Sequence, residues 1–316
     1  MGVFKRHRLQ NRFCQSVLSI IGAAVLIWSI LPLAPGDPGR RILQARGIIE
    51  PTDFEISEMR RELKMDQPVI IRFLSWSANI AKGDFGISWQ TGKPITSEFL
   101  KRLPQTLKLA ITAFFLAALF AIPAGLFSAY YHNRWPDHLF RIFALIGAAS
   151  PSFIISLFLI HFVIIGMGWG QVVLSGYWNQ VWLPAFVLAI DITAIWSRLL
   201  RASLLEIKGR PFITSAMARG ASKKRVLWFH AFLNALVPLL NMMGLTLGSL
   251  LGGTIIVETI FSWPGLGRYI IEAITARDLP VIQAYALFST LCYVSVSLLV
   301  DIVSSLLDPR IAQRWV

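Results

Sequence analysis

The sequence predicts an all-α membrane protein with six transmembrane helices. Three observations carry that prediction. Apolar residues make up 55% of the 316-residue chain and charged residues only 15%, too apolar a balance for an ordinary soluble domain. The charges lie in clumps, separated by uncharged runs long enough to cross roughly 30 Å of hydrocarbon. The basic clumps fall on alternate sides of those runs, which is the pattern that fixes membrane topology.

A formal net charge of +13 in a soluble protein would point to nucleic acid. Here the basic residues sit between apolar runs and read as topology signals, so no nucleic-acid partner is expected. Cys14 and Cys292 lie in or beside apolar runs and read as buried apolar residues, not as a disulfide or a metal pair.

Lys5-Arg6-His7-Arg8 ahead of an apolar run from Phe13 has the layout of a secretory leader. The run from Phe13 to Gly36 is uncharged and long enough to span, and no small-x-small cleavage site follows it. Residues 1–36 are therefore expected to be a short terminus and an uncleaved first helix.

Residues 37–104 are polar and nearly balanced, with 11 Lys/Arg against 9 Asp/Glu. Pro51-Thr52-Asp53-Phe54-Glu55 opens an amphipathic helix with Ile56, Met59 and Leu63 on one face, closed by Met65-Asp66-Gln67-Pro68. Gly83-Asp84-Phe85-Gly86-Ile87-Ser88 reads as a turn. No catalytic role is expected in this segment.

The second span is expected after Leu103-Pro104, uncharged from Leu109 to Asn133 and kinked near Pro123 and Gly125. The uncharged stretch from Ile142 to Ile190 is too long for one span; Gly166, Gly168, Gly170, Ser175 and Gly176 divide it into a third and a fourth, the latter from about Trp182 to Arg198. The fifth, near 236–256, is rich in small residues (Gly244, Gly248, Ser249, Gly252, Gly253), which lets helices approach closely. The last covers about 281–306. Tryptophans 169, 178, 182 and 263 suit an interfacial belt.

Loop charges orient the spans. Lys5, Arg6, Arg8 and Arg12 precede the first, Arg134 and Arg141 follow the second, and 198–225 holds eight Lys/Arg against one Glu. On the other side, 168–180 is uncharged and 258–280 has two Arg against three acids. Both termini are expected in the cytoplasm.

The basic stretch at 204–238 organises the chain. Pro211 suits the first turn of a helix. Ala216 and Gly220, four residues apart, fall on one helix face as a small-residue notch, and Gly220 can end the helix. Lys223, Lys224 and Arg225 follow. The residues alone allow two readings: a docking helix for a soluble partner, or a loop whose charges only set topology.

Phe212-Ile213-Thr214-Ser215-Ala216-Met217-Ala218-Arg219-Gly220, then His230-Ala231, Asn234-Ala235 and Pro238, resemble the ATPase-docking loop of bacterial ABC-importer permeases of the peptide/nickel branch. That branch reads Tyr-x-x-Thr-Ala-x-Ala-x-Gly, then His-Ala-x-x-Asn-Ala-x-x-Pro; Phe212 stands for the Tyr and Ser215 for the Thr. Leu63, Asp66, Gln67, Pro68, Gly83, Asp84, Gly86 and Ser88 resemble the family's insert after the first helix, with Lys64 in place of a usual Gly. Phe261-Ser262-Trp263-Pro264-Gly265-Leu266-Gly267-Arg268 resembles another recurrent segment.

The resemblance implies a type I ABC-importer permease fold in the bacterial inner membrane, with 37–104 as an extracytoplasmic insert and 105–316 as a five-helix core. It implies ATPase coupling through a loop at about 204–235, carried by Phe212, Ser215, Ala216, Ala218, Gly220, Ala221, His230 and Asn234. The partners it implies are a second, similar permease, two cytoplasmic ATP-binding subunits and an extracytoplasmic binding protein. ATP and magnesium would be used by the ATPases, and none bound by this chain. Ser197-Arg198-Leu199-Leu200-Arg201-Ala202-Ser203 and Asp308-Pro309-Arg310-Ile311 look closer to nickel-type permeases than to dipeptide or oligopeptide ones, so nickel or a metal chelate is the expected cargo, with peptides the alternative.

Candidate path residues are few. Asp191 lies deep in the fourth span, where an acid faces a cavity or a partner; a path role and a hydrogen bond to a neighbouring helix both fit. His161 in the third span reads as a ligand or as a hydrogen-bonded core residue, and no second ligand stands at metal spacing. Glu258 closes the fifth span. The chain has no Gly-x-x-x-x-Gly-Lys-Ser/Thr loop, no His-Glu-x-x-His and no Gly-x-Ser-x-Gly, so no catalysis is expected from it. A secondary transporter, the rival of another class, would carry paired repeats and buried coupling acids, and neither is visible.

Overall fold

The computed structural model describes residues 2–33, 37–45, 47–222 and 225–307. Lys223, Lys224, Pro35, Gly36 and Asp308-Pro309-Arg310-Ile311 lie outside them, as do the side chains of His230 and Asp301. The described chain is helical, and its isolated bridge pairs Ile87 with Pro94. In order, the helices are α1 (Gly2–Leu33), α2 (Pro38–Ala45), α3 (Asp53–Glu62), α4 (Val69–Ala81), α5 (Ile95–Tyr130), α6 (Trp135–Ala149), α7 (Ser152–Leu159) and α8 (Trp182–Lys208). They are followed by α9 (Pro211–Ala218), α10 (Phe232–Gly253), α11 (Ile255–Ile260), α12 (Leu266–Thr275) and α13 (Leu279–Leu307).

Among the described residues, four helices are long and apolar enough to cross a membrane: Ile95–Tyr130, Trp182–Lys208, Phe232–Leu250 and Leu279–Val300. The third expected span is broken. Trp135–Ala149 and Ser152–Gly166 together pass the same test but meet at 101°. The cause is Ser150-Pro151: a residue before proline is driven out of the helical region, and Ser150 is extended at φ −89°, ψ 115°. The second piece ends in a π-helical turn, Ile160–Gly166. The expected first span lies in α1, whose described apolar stretch is Cys14–Ser29.

α5 and α8 form the centre. Along α5 the buried positions Ala110, Ala113, Ala117 and Ala121 recur at three- and four-residue intervals, giving α8 a flat apolar face to approach. Trp196 of α8 is fully buried against it, edge-on to Phe114 at 5.1 Å, with its indole N–H donated to Thr246 of α10 at 3.1 Å. A Cβ at Gly125 would stand 3.0 Å from Leu200 and from the Ser197 carbonyl. The small-residue face of α10 is used in part. Gly244 abuts Val300 and Gly248 abuts Tyr293 of α13, whereas Gly252 and Gly253 face open space.

α5 starts at Ile95, inside the 37–104 segment read as loop. Its first turns look polar, but Ile95, Phe99 and Leu103 recur every four residues and pack with Leu266, Tyr269, Ile270 and Val281 of α12 and α13. The amphipathic helix predicted near residue 52 is α3, opened by a reciprocal Thr52–Glu55 capping box. Its predicted face packs with Ile42, Leu43 and Trp89 as a small separate core. Lys64, where the family usually has Gly, sits at φ +54°, the left-handed conformation a glycine adopts freely.

Helix α4 was not anticipated. The glycine turn was, and the structure anchors it. The Asp278 carboxylate, at the corner between α12 and α13, accepts the Ser88 hydroxyl at 2.5 Å and the Trp89 N–H at 3.1 Å. This corner and the loop at 167–177 lie at the end of the bundle where α5 begins, for Lys108 of α5 donates to the Gly176 carbonyl at 2.6 Å. We call it the insert end; α9 lies at the other.

Candidate functional site

α9 is a two-turn helix hung between α8 and the π-helical turn Val226–Ala231. Pro211 occupies its first position, as expected. Ile213 and Ala216, three residues apart, are buried against the bundle. Phe212 is 41% and Met217 43% exposed, flanking that buried pair on either side. Ser215, Ala218 and Gly220 are exposed, and Ala221 is half-buried.

The end of α9 is a Schellman motif. The Ala221 N–H donates to the Ala216 carbonyl at 3.1 Å and the Gly220 N–H to the Met217 carbonyl at 2.9 Å. Gly220 has φ +87° and nothing within 4 Å of where a Cβ would stand. The predicted notch is thereby corrected. Ala216 is small because it faces this chain's own bundle, and Gly220 is glycine because the turn is left-handed; the two do not form one open face. Gly220→Val is expected to fray α9, since a left-handed residue other than glycine costs about 1–2 kcal/mol and a β-branched one more. Limited trypsin digestion at Arg219 should accelerate in that variant and remain near wild type in Gly220→Asn.

Beyond the turn the surface is apolar again. Trp228 and Phe229 are 44% and 68% exposed and line a shallow groove with Ser222 and Arg225. Arg210 is held to Glu206 at 2.9 Å on the α8 side. Exposed aromatic and thioether groups among arginines suit a protein partner.

Behind α9 stands a buried ion pair that the sequence reading did not anticipate. Asp137, in the first turn of α6, is 0% exposed. Its carboxylate accepts both Nε and Nη2 of Arg201 at 2.7 Å, the Ser128 hydroxyl at 2.5 Å and the Asn133 N–H at 2.9 Å. One side chain thus ties the end of α5, the following turn, the start of α6 and the last third of α8, from which α9 hangs. The available signal was an acid just after Trp135-Pro136 and an arginine three residues after Arg198 on α8. Their pairing across 64 residues was not readable.

The three candidate path residues are not brought together. Asp191 faces outward from α8 and is exposed, with no hydrogen bond or ion pair among the described residues. His161 is exposed on the π-helical turn, edge-on to Phe162 at 4.9 Å. The described residues contain no group of three or more His, Cys, Asp or Glu placed to hold a metal. Glu258 is fully buried under the loop at 261–268. Its carboxylate accepts the Arg268 N–H at 3.1 Å, and a Cβ at Gly267 would come 2.6 Å from the Ile255 Cα. Trp263 donates its indole N–H to the Gln105 carbonyl at 3.0 Å, and the Leu266 N–H goes to Thr106 at 2.8 Å. In this structure Glu258 seats that loop on α5 and is not open to a path.

The bundle of long apolar helices among the described residues is the architecture of a membrane-embedded protein. Residues 121–313 match the family described as binding-protein-dependent transport system inner membrane component. The chain belongs to that family and is the permease subunit of an ABC importer, in the peptide/nickel branch. It is 35% identical over 292 residues to the glutathione transport system permease protein GsiC of Shigella flexneri serotype 5b (strain 8401), covering 92% of this chain and 94% of the relative. The GsiC of Escherichia coli (strain K12) gives the same figures. Among solved structures, an inward-facing MetNI methionine ABC transporter matches with a TM-score of 0.58 and 17% identity, over 66% of this chain and 96% of the other. An amino acid ABC transporter crystallised with histidines matches at 0.51 and 21%, over 68% and 94%. Permeases of ABC importers work in the inner membrane with separate ATPase subunits, which hydrolyse the ATP, and with a substrate-binding protein.

Proposed function

We propose that this chain is one of two paired permeases of an importer for short peptides of the glutathione kind, driven through α9. The observation that carries the reading is α9 itself: two buried residues fix it to the bundle while Phe212 and Met217 project from it. In this reading both termini and α9 are cytoplasmic and α2–α4 form an extracytoplasmic insert. Two ATPases receive Phe212, Met217, Trp228 and Phe229. ATP-driven closure moves α9, and the rigid connection to α8 rocks the bundle between two access states.

The peptide cargo is supported by the relatives that extend over nearly the whole chain, which are glutathione permeases. Nickel or a metal chelate, suggested by the stretches at 197–203 and 308–311, is the second reading; those stretches report kinship and carry no ligand set. The test is uptake into cells expressing the complete complex. Labelled glutathione or tri-alanine should accumulate in an ATP-dependent manner. Accumulation of labelled nickel alone would overturn the peptide reading, and uptake driven by a proton or sodium gradient without the ATPases would overturn the ABC coupling.

A further inference from the structure

The outward face of α8 carries two opposite charges that the chain leaves alone. Asp191, Ile195, Arg198 and Ala202 are exposed at steps of four, three and four residues and form one stripe along the helix. Asp191 and Arg198 have no hydrogen-bond or ion-pair partner among the described residues. The contrast with Arg201 is direct. Less than one turn further on, Arg201 points inward and its guanidinium is met in bidentate fashion by Asp137 at 2.7 Å. The fold neutralises the charge it buries and leaves these two for something outside the chain.

Asp191 lies within the span, where an ionised group faces a partner or a water-filled cavity, and Arg198 stands on the same face at the end of that span. The two cannot satisfy each other: seven residues of helix put them two turns apart on the same face, about 10.5 Å along the axis. A single occupant that meets both brings a cation to one and an anion to the other across that distance. A peptide with free ends does this. Three extended residues reach about 10 Å, with an ammonium at one end and a carboxylate at the other. Ile195, 41% exposed between the two charges, offers an apolar contact for the middle.

We propose that this face of α8 is a peptide-contact line on the translocation path, with Asp191 receiving the ammonium end and Arg198 the carboxylate end of a zwitterionic tripeptide. The inference rests on the peptide-importer reading above and adds to it the residues that recognise the cargo in passage. A weak, two-ended contact also suits a path, which must release what it holds.

Two measurements on the assembled importer test it. The first is ATP-driven uptake of tri-alanine and of N-acetyl-tri-alanine by wild type and Asp191→Asn. Both chains use the same binding protein, so its own selectivity cancels in the comparison. Tri-alanine uptake should fall about tenfold in Asp191→Asn while N-acetyl-tri-alanine uptake is unchanged, and Arg198→Gln should act likewise on the free acid against the amide. Equal losses for both probes, or an unchanged ratio, would overturn the inference and leave the peptide reading standing. Failure of wild type to take up any peptide would overturn that reading and the inference with it. The second measurement needs no cargo preference. In Ile195→Cys, with Cys14 and Cys292 replaced by serine, a charged, membrane-impermeant thiol reagent should label the new thiol, and tri-alanine should slow the labelling. A thiol that reacts only with a lipid-soluble reagent, or that cross-links to the second permease and never to the charged reagent, would place this face in lipid or at the subunit contact and overturn the inference.

Discussion

Arg201→Met is expected to destabilise the permease by about 3–5 kcal/mol, the usual result of leaving one member of a buried ion pair behind. Asp137 has no exposure and would keep the Ser128 hydroxyl and the Asn133 N–H, with His132 Nδ1 at 3.6 Å. The variant's thermal unfolding in detergent should begin well below that of wild type. The decisive comparison is Asp137→Leu combined with Arg201→Met. Replacing a buried pair by apolar side chains is often neutral or stabilising, so the double variant should recover most of the loss. Arg201→Lys should fall between, because an ammonium cannot reproduce the two-pronged contact at 2.7 Å. A double variant as unstable as Arg201→Met would mean that the pair itself is not what holds the three helix ends.

Phe212→Asp is expected to sever the permease from its ATPases without unfolding it. Phe212 is 41% exposed beside Ile213 and Ala216, which are buried against the bundle, so the chain's own packing depends on it far less than on Ile213. Losing an aromatic anchor at an interface costs about 2 kcal/mol or more, close to a thirtyfold weaker association, and an introduced carboxylate adds a desolvation penalty. Affinity purification should recover the variant with an unchanged melting temperature and little ATPase, and peptide uptake should be lost. Ile213→Asp is the contrasting case: it puts a charge into α9's own seat and should lower the melting temperature as well. A Phe212→Asp complex that retains its ATPases and transports normally would remove α9 from the proposed coupling.

What could be read before the coordinates follows from the range of each signal. Local chemistry was legible: the capping box at Thr52 and Glu55, Pro211 at the start of α9, Gly220 at its end, and the glycine-rich break before α8. Composition gave the membrane class and the long apolar runs. Signals of moderate range were read with errors. Ile95, Phe99 and Leu103 already had helical spacing, but the polar residues among them placed α5 ten residues late. Pro151 alone marked a sharp break, and the glycines downstream drew attention from it. Val69-Ile70-Ile71, the start of α4, was lost in a segment judged by its average charge. The longest-range features were not readable at all. Nothing near Asp137 names Arg201, nothing near Ser88 names Asp278, and no local feature says which side of α9 Ala216 takes. The motif marked the short helix α9, while the reason two of its small residues are small emerged only from their surroundings.

The length of α5 has a mechanical consequence. Its 36 residues make a rod of about 54 Å, well beyond the roughly 30 Å of hydrocarbon. One tip is gripped through Ser128 by the Asp137 carboxylate, the other through Ile95 and Phe99 by the cluster on α12 and α13. Pro104 and Pro123 stand inside the helix and each removes a helix hydrogen bond, so a shaft held at both tips is weakest at those two points. In the proposed coupling, movement applied where α9 hangs travels along this one helix toward the end beside Asp278, and bending at its prolines sets how much of it arrives.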